Sequence, residues 1–225
     1  MNEENGILCP GEEKNVEKNV IEALMGDYIY KKNSWKAIEF TEECIGEIGM
    51  CLAGEKNRKV INQVTSRVKS TESICKKMRR KSYPADKAGI LRCNDLLGVR
   101  TVCLFIDDVY EVAECLKKQK DIRILKEKDY IKKPKSNGYR SLHLILSVPV
   151  FLPDEKKYMK AEVQFRTIAM DFWGSLEHKL RYKKNINNTE EIERQLKACA
   201  DSIEALDHQM QEIRDKIDQS EGECR

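Results

Sequence analysis

The sequence contains no Cys-x-x-Cys pair, no His-Glu-x-x-His and no paired His-Asp element of the phosphohydrolase type. Its three histidines, His143, His178 and His208, keep no ligand spacing with the nine cysteines, which disfavours zinc. An odd number of scattered thiols, several inside apolar runs as Cys103 is in Val99–Ile106, reads as reduced and mostly buried cysteine in a cytosolic protein. No apolar run is long enough to span a bilayer, and the first residues lack the basic flank and apolar core of a secretory signal. The expectation is a cytoplasmic protein with no membrane contact. A formal net charge of +3 offers no bulk polyelectrolyte case for DNA. Phosphate motifs fail as well. Gly49–Lys56 resembles a Walker loop, but Glu55 follows Gly54 where lysine is required, and no Ser or Thr comes next. No dinucleotide fingerprint follows any expected strand, and nothing resembles a kinase catalytic loop.

What is present is unevenly placed. Lys56 to Lys81 carries ten basic residues, among them Arg67, Lys69, Lys76, Lys77, Arg79 and Arg80, against one acid, Glu72. Dense local cation in a near-neutral chain suits a compact polyphosphate better than a long phosphate backbone. The stretch from Asp129 to His143 is the most informative. A basic loop (Lys132, Lys133, Lys135) breaks at Pro134, turns at Asn137-Gly138 and enters the apolar run Leu142–Val150, a turn-then-strand signal. Tyr139, Arg140 and His143 therefore sit at the mouth of a strand beside fixed cations. That rim suits a nucleotide; a solvated basic loop is the alternative.

The 225 residues are enough for one sizeable core with helical additions. Residues 1–12 read as disordered. Val16, Val20, Leu24 and Tyr28 recur at helical spacing, and a second helix runs from about Trp35 to Leu52, weakened by Gly46 and Gly49. Val60, Val64 and Val68 share one face of a strand. Ser70-Thr71-Glu72 opens a helix to about Lys81, ended by Tyr83-Pro84. The run Val99–Ile106 is a buried strand, and Asp107-Asp108 caps a helix to about Gln119. Strands follow at Ile122–Glu127, Leu142–Val150 and Lys160–Phe165, and Thr167 caps a helix through Tyr182. In that helix Phe172, Trp173, Leu176 and Leu180 recur at core spacing. The fold class is α/β (α+β): one mixed β-sheet flanked by helices. Beyond it, Ile192, Leu196, Cys199, Ile203, Leu206, Met210, Ile213 and Ile217 step by four and three, a heptad seam. That helix packs on the N-terminal helices or pairs with another subunit.

Two carboxylates stand out by position. Asp95 lies just before the buried strand, and Glu162 lies within one, where an acid is unfavourable unless it faces water or a cation. Together, on neighbouring strands, they suit Mg²⁺ against a polyphosphate; either alone reads as an ordinary surface acid.

These residues also carry a resemblance. Arg67–Ile74, Asp95–Arg100, Lys135–His143, Glu162–Thr167 and Ala169–Lys179 resemble, in order, the successive motifs of the RelA/SpoT-type (p)ppGpp synthetase family. The match covers roughly residues 56–184, without the hydrolase and regulatory domains of the long members, so the chain resembles the stand-alone small alarmone synthetases. The resemblance implies a nucleotidyltransferase-like catalytic domain over 56–184. A helical segment, 1–55, precedes it, and a C-terminal oligomerisation helix, 185–225, follows. It implies transfer of the β,γ-pyrophosphate of ATP to the 3′-hydroxyl of GTP or GDP, with Mg²⁺ as cofactor and a homotetrameric assembly. Arg67, Lys69, Ser73, Lys77 and Arg80 would hold ATP, with Arg100 across the site. Asp95 would bind metal, and Glu162 would bind metal, take the 3′-hydroxyl proton, or both. Tyr139 would stack on guanine, with Lys135, Asn137 and His143 placing the acceptor. Gly174 stands where the family usually has alanine, which points to close packing, and Phe165 replaces a common isoleucine. Rival readings are the same chemistry on an adenine nucleotide or a tRNA 3′ end, and a non-catalytic nucleotide- or RNA-binding module. RNA as a regulator is left open.

Overall fold

The computed structural model describes residues 10–182 and 189–223. The expected disorder over 1–12 falls mostly outside them. Two helices open the chain, α1 (Pro10–Gly26) and α2 (Tyr28–Lys56). Asp27 divides them, its carboxylate accepting from the Tyr30 N–H at 2.7 Å as the N-cap of α2. Despite Gly46 and Gly49, α2 runs unbroken for 29 residues, because Ala37, Ile38, Ile45, Ile48 and Leu52 bury one of its faces in the main core and tertiary burial outweighs glycine's intrinsic cost.

Next come β1 (Ile61–Val68), α3 (Thr71–Lys81), the short α4 (Lys87–Leu91) and β2 (Leu97–Cys103). Ser70 caps α3 by accepting from the Ser73 N–H, and Ser82 ends it in the left-handed region, φ 50°. Then follow α5 (Ile106–Lys117), β3 (Arg123–Asp129), β4 (Leu142–Phe151), β5 (Lys156–Thr167), α6 (Ile168–Tyr182) and α7 (Thr189–Glu223).

The five strands form one mixed sheet in the order β1-β2-β5-β4-β3, in which β2 and β5 are parallel and every other pair antiparallel. One face packs on α2 and α5 through Val99, Val112, Leu116, Leu144 and Val163. At roughly 1.5–3 kcal/mol per fully buried aliphatic side chain, this layer is the main favourable contribution to folding. A smaller core lies under α3, where Ile74 and Met78 meet Ile21 of α1 and Ile90 and Leu96.

Three expectations are corrected here. Asp107 and Asp108 do not cap α5; Phe105 is its N-cap residue, without a side-chain bond. Asp108 is instead fully buried, taking both guanidinium nitrogens of Arg58 at 2.8 Å and Lys56 at 3.1 Å. The stripe Phe172, Leu176 and Leu180 is exposed on α6, and only Trp173 of that set is buried. The described cysteines are all free, but Cys75, Cys93 and Cys103 alone are buried. The long α7 packs on α6 and α5, burying Ala200 and Asp207, while Leu206, Met210, Ile213 and Ile217 remain about half exposed. Among the described residues no helix is long and apolar enough to cross a membrane.

Candidate active site

Side chains alternate across a strand, so sheet register decides which residues meet. Arg67 pairs with Gly98, and Gly98 with Glu162; two positions along, Thr65 pairs with Arg100, Arg100 with Gln164, and Gln164 with His143. These two rows put one cation, acid, amide and imidazole after another on the face opposite α2 and α5. The cavity above them is lined by Thr65, Arg67, Asp95, Gly98, Arg100, Glu162 and Gln164. Asp95 and Glu162, separated by 67 positions of sequence, thus share one hollow.

Asp95 sits on the turn before β2. Its two carboxylate oxygens take Lys69 at 2.7 Å and Lys77 at 2.6 Å. Burial alone would raise its pKa, but the two ammonium groups outweigh it and hold Asp95 ionised below the usual carboxylate value. Lys77 reaches the turn because α3 is amphipathic, with Ile74, Cys75 and Met78 buried. Lys76 does not join it; it pairs with Glu72 along the exposed side of α3. Ser73 bonds Ser70 at the start of α3, and Arg80 lies on its exposed side; neither lines the cavity.

Glu162 accepts from His143 Nδ1 at 3.1 Å and from Gln164 Nε2 at 2.9 Å. Burial pushes its pKa up and so does Asp95, yet the bond and charge of His143 and the Gln164 amide prevail and lower it. On its other side His143 Nε2 meets the Tyr139 hydroxyl at 2.8 Å, and that hydroxyl accepts from Arg166 Nη2 at 2.6 Å. A hydroxyl that accepts from arginine gives its single proton to the remaining neighbour. In that arrangement His143 Nδ1 is the donor to Glu162.

Arg166 also donates to Gln164 at 3.2 Å and to Asp171 at 3.0 Å, and Asp171 binds Arg100 at 3.1 Å. One carboxylate thus bridges two guanidinium groups. Arg100 has its pKa lowered by burial first and by Arg166 second, and its buried Nε has no partner among the described residues. Gly174 makes room for this cluster: a Cβ there would lie 2.9 Å from Arg166 Nη1, which bears out the close packing expected at that position.

Lys135, Asn137 and Tyr139 share one turn, and His143 follows on β4. Gly138 holds φ +85°, and its N–H donates to the Lys135 carbonyl at 2.8 Å. Asn137 accepts from the Tyr139 N–H and donates to Glu177. The Lys135 ammonium lies 4.7 Å from the Tyr130 ring centre and 4.4 Å from that of Tyr139. Burial and the nearby Lys128 draw the Lys135 pKa down. The turn leans on α7: a Cβ on Gly138 would come within 2.6 Å of the Ala200 Cβ, and Arg140 bonds Glu204 at 2.5 Å and Asp201 at 3.4 Å.

The structure therefore gathers Arg67, Asp95, Arg100 and Glu162 in one cavity, with Lys69 and Lys77 bonded to Asp95. Tyr139 and His143 connect to it through the His143–Glu162 contact, and Lys135 and Asn137 sit on the same turn as Tyr139. Gln164, Arg166 and Asp171 were not singled out from sequence as site residues, and Arg140, read there as part of the nucleotide rim, instead braces the turn against α7. The first two had a readable signal, since Glu162, Gln164 and Arg166 alternate with the buried Val163 and Phe165 along β5.

Residues 66–187 match the family described as the region found in RelA / SpoT proteins. The chain belongs to the RelA/SpoT family. It is 48% identical over 159 residues to GTP pyrophosphokinase YwaC of Bacillus subtilis, spanning 70% of this chain and 76% of that one. With GTP pyrophosphokinase YjbM of the same organism it shares 36% over 168 residues, 75% and 79% of the two chains. Among solved structures it resembles small alarmone synthetase 2 from Bacillus subtilis, with TM-score 0.73 and 43% identity over 81% of this chain and 96% of that one. It also resembles small alarmone synthetase 1 bound to its product pppGpp, with TM-score 0.67 and 35% identity over 79% and 94%. The mixed five-stranded sheet flanked by helices is thus the fold it shares with these synthetases.

Proposed function

We propose that the protein is a (p)ppGpp synthetase, a GTP pyrophosphokinase that moves the β,γ-pyrophosphate of ATP to the 3′-hydroxyl of GTP or GDP. The observation that carries this reading is the single cavity lined by Asp95, Glu162, Arg67 and Arg100. In the reaction the 3′-oxygen bonds to the β-phosphorus of ATP, the bond from that phosphorus to the α,β-bridging oxygen breaks, and AMP leaves.

Each residue has a physical task. Arg67, Lys69, Lys77 and Arg100 neutralise the triphosphate, and arginine's planar, delocalised cation suits a transferring phosphate. Ser73 and Arg80 extend this donor side from α3. Tyr139 presents its ring to guanine, while Lys135, Asn137 and His143 place the acceptor phosphates and sugar. Glu162 orients the 3′-hydroxyl and takes its proton. Because Glu162 is held ionised it is ready for that proton at neutral pH, though a weak base.

The donor set fits Mg²⁺: two carboxylates on one cavity, both kept ionised, are the hard oxygen ligands this ion takes alongside substrate phosphates. When bound, Mg²⁺ supplies charge neutralisation at the transferring phosphates. Lys69 and Lys77, which hold Asp95 without ligand, are then free to turn to the phosphates.

We assign the chain to a homo-oligomer, a tetramer, through the exposed apolar stripes Leu206–Met210–Ile213–Ile217 of α7 and Phe172–Leu176–Leu180 of α6. Its free thiols suit the cytoplasm. The test is incubation with γ-labelled ATP and each guanine nucleotide, followed by product separation. Label in a 3′-pyrophosphorylated guanine nucleotide supports the reading. Label only in an adenine nucleotide or deacylated tRNA overturns the acceptor, and no transfer to any acceptor with Mg²⁺ present favours a binding module.

A further inference from the structure

We propose that a second cavity, between α2, α4 and the start of β5, is a ligand site for a heteroaromatic anion, a ring with a hydrogen-bonding edge and a negative group. Its volume is about 580 Å³, within the range of roughly 300–1,000 Å³ that small-molecule sites occupy. It shares no lining residue with the catalytic cavity.

Two groups in it have unmet bonding capacity. Asn33 is 7% exposed and lines the cavity, yet it makes no side-chain hydrogen bond to any described residue. Its amide donor and acceptor are therefore available to whatever fills the space. The carboxamide presents both on one edge, which matches a heterocycle with adjacent donor and acceptor atoms. Lys87, at the rim, forms no ion pair with any described residue. The other lysines are engaged: Lys157 with Glu155 at 2.7 Å and Lys160 with the Leu91 carbonyl at 3.1 Å. Between these two groups Tyr30, Leu96 and Met159 supply aromatic and apolar walls. An amide at the bottom, apolar walls and a free ammonium at the mouth select a flat ring that ends in an anion.

The site can be read locally through Met159. Protein carrying ¹³C-methyl methionine is titrated with AMP, GMP and UMP as probes, with AMPCPP and Mg²⁺ saturating the catalytic cavity throughout. Adenosine serves as the uncharged control, and the Met159 signal is assigned by Met159→Leu. The expected result is a saturable shift of the Met159 methyl with at least one nucleotide, weakened at least tenfold for adenosine and in Lys87→Ala, and lost in Asn33→Leu. If Asn33→Leu fails to fold by thermal unfolding, the surface change Lys87→Ala carries the test. A Met159 methyl unmoved by every probe at millimolar concentration overturns the proposal, as does a shift with unchanged affinity in Lys87→Ala. Neither failure touches the pyrophosphate transfer, which is read by label transfer in a different cavity.

Discussion

Arg140 and Glu204 lie 64 positions apart and meet at 2.5 Å. This contact ties the turn that carries Tyr139 to the C-terminal helix, and Arg140 also bonds the Gly138 and Ala200 carbonyls at 3.1 and 3.4 Å. The turn is thus held from outside the site. Arg140→Ala is expected to raise the KM for the guanine nucleotide about ten- to a hundredfold, the scale of ~1.5–3 kcal/mol for a hydrogen bond to a charged group. The KM for ATP should stay near that of the parent. Steady-state kinetics with each substrate varied in turn checks this; equal rises in both KM values would contradict it.

Asp95→Asn and Glu162→Gln should each lower kcat by about 10²–10³, the loss of roughly 2.7–4 kcal/mol of transition-state stabilisation. Circular dichroism should show the fold intact in both. Retained turnover in both variants with Mg²⁺ present would remove the two acids from the mechanism.

In the proposed reaction Tyr139 serves through both its ring and its hydroxyl. Tyr139→Ala removes the stacking surface and should cost about 1–3 kcal/mol in acceptor binding. Tyr139→Phe keeps the ring but cuts the Arg166–Tyr139–His143 chain, at about 0.5–1.5 kcal/mol for one hydrogen bond. The phenylalanine variant should therefore fall between parent and alanine in kcat/KM for the acceptor. Equal losses in the two variants would refute stacking.

Leu206 and Ile213 are each about half exposed on α7. Leu206→Asp with Ile213→Asp should lower the particle mass in light scattering without changing the monomer's helical content. These sites test assembly more cleanly than removal of α7, since α7 also supports the Lys135–Tyr139 turn and carries the Leu196 carbonyl that accepts from Trp173 Nε1 at 2.9 Å. An unchanged mass would assign the seam to the monomer alone.

Acid should unfold the protein partly through Asp95. Its folded-state pKa lies below the ordinary 3.8, so the native state binds fewer protons than the unfolded chain near that pH. The stabilisation is present above about 3.8 and is lost as pH falls through the lower folded value. The urea midpoint of the parent should therefore exceed that of Asp95→Asn at pH 6, and the gap should narrow below pH ~4. A gap that is constant or widens in acid would contradict the Lys69–Asp95–Lys77 arrangement.

Much of this was legible along the chain. Ser70 before Thr71-Glu72 marked the start of α3, because a cap is a contact between residues three apart. The apolar run of β2 and the Asn-Gly turn before β4 were equally local. The order of motifs pointed to the family without any knowledge of contacts. The exposure of Phe172, Leu176 and Leu180 was not legible, since an apolar stripe has the same spacing whether it meets its own core or faces outward. Asp108 was misread for a related reason: the residue that buries it, Arg58, is 50 positions away.

The sequence by itself determined the local elements, the basic helix, the acids at 95 and 162 and the family. Only the tertiary structure decided that β2 runs parallel beside β5, which sets Arg67, Gly98 and Glu162 in one row and brings Asp95 to the same hollow. It also decided that Arg166 bonds the Tyr139 hydroxyl and that α7 braces the turn carrying Tyr139. The physical reason is that propensity and capping act over a few neighbouring residues, whereas strand register and side-chain partners depend on how the whole chain closes its core.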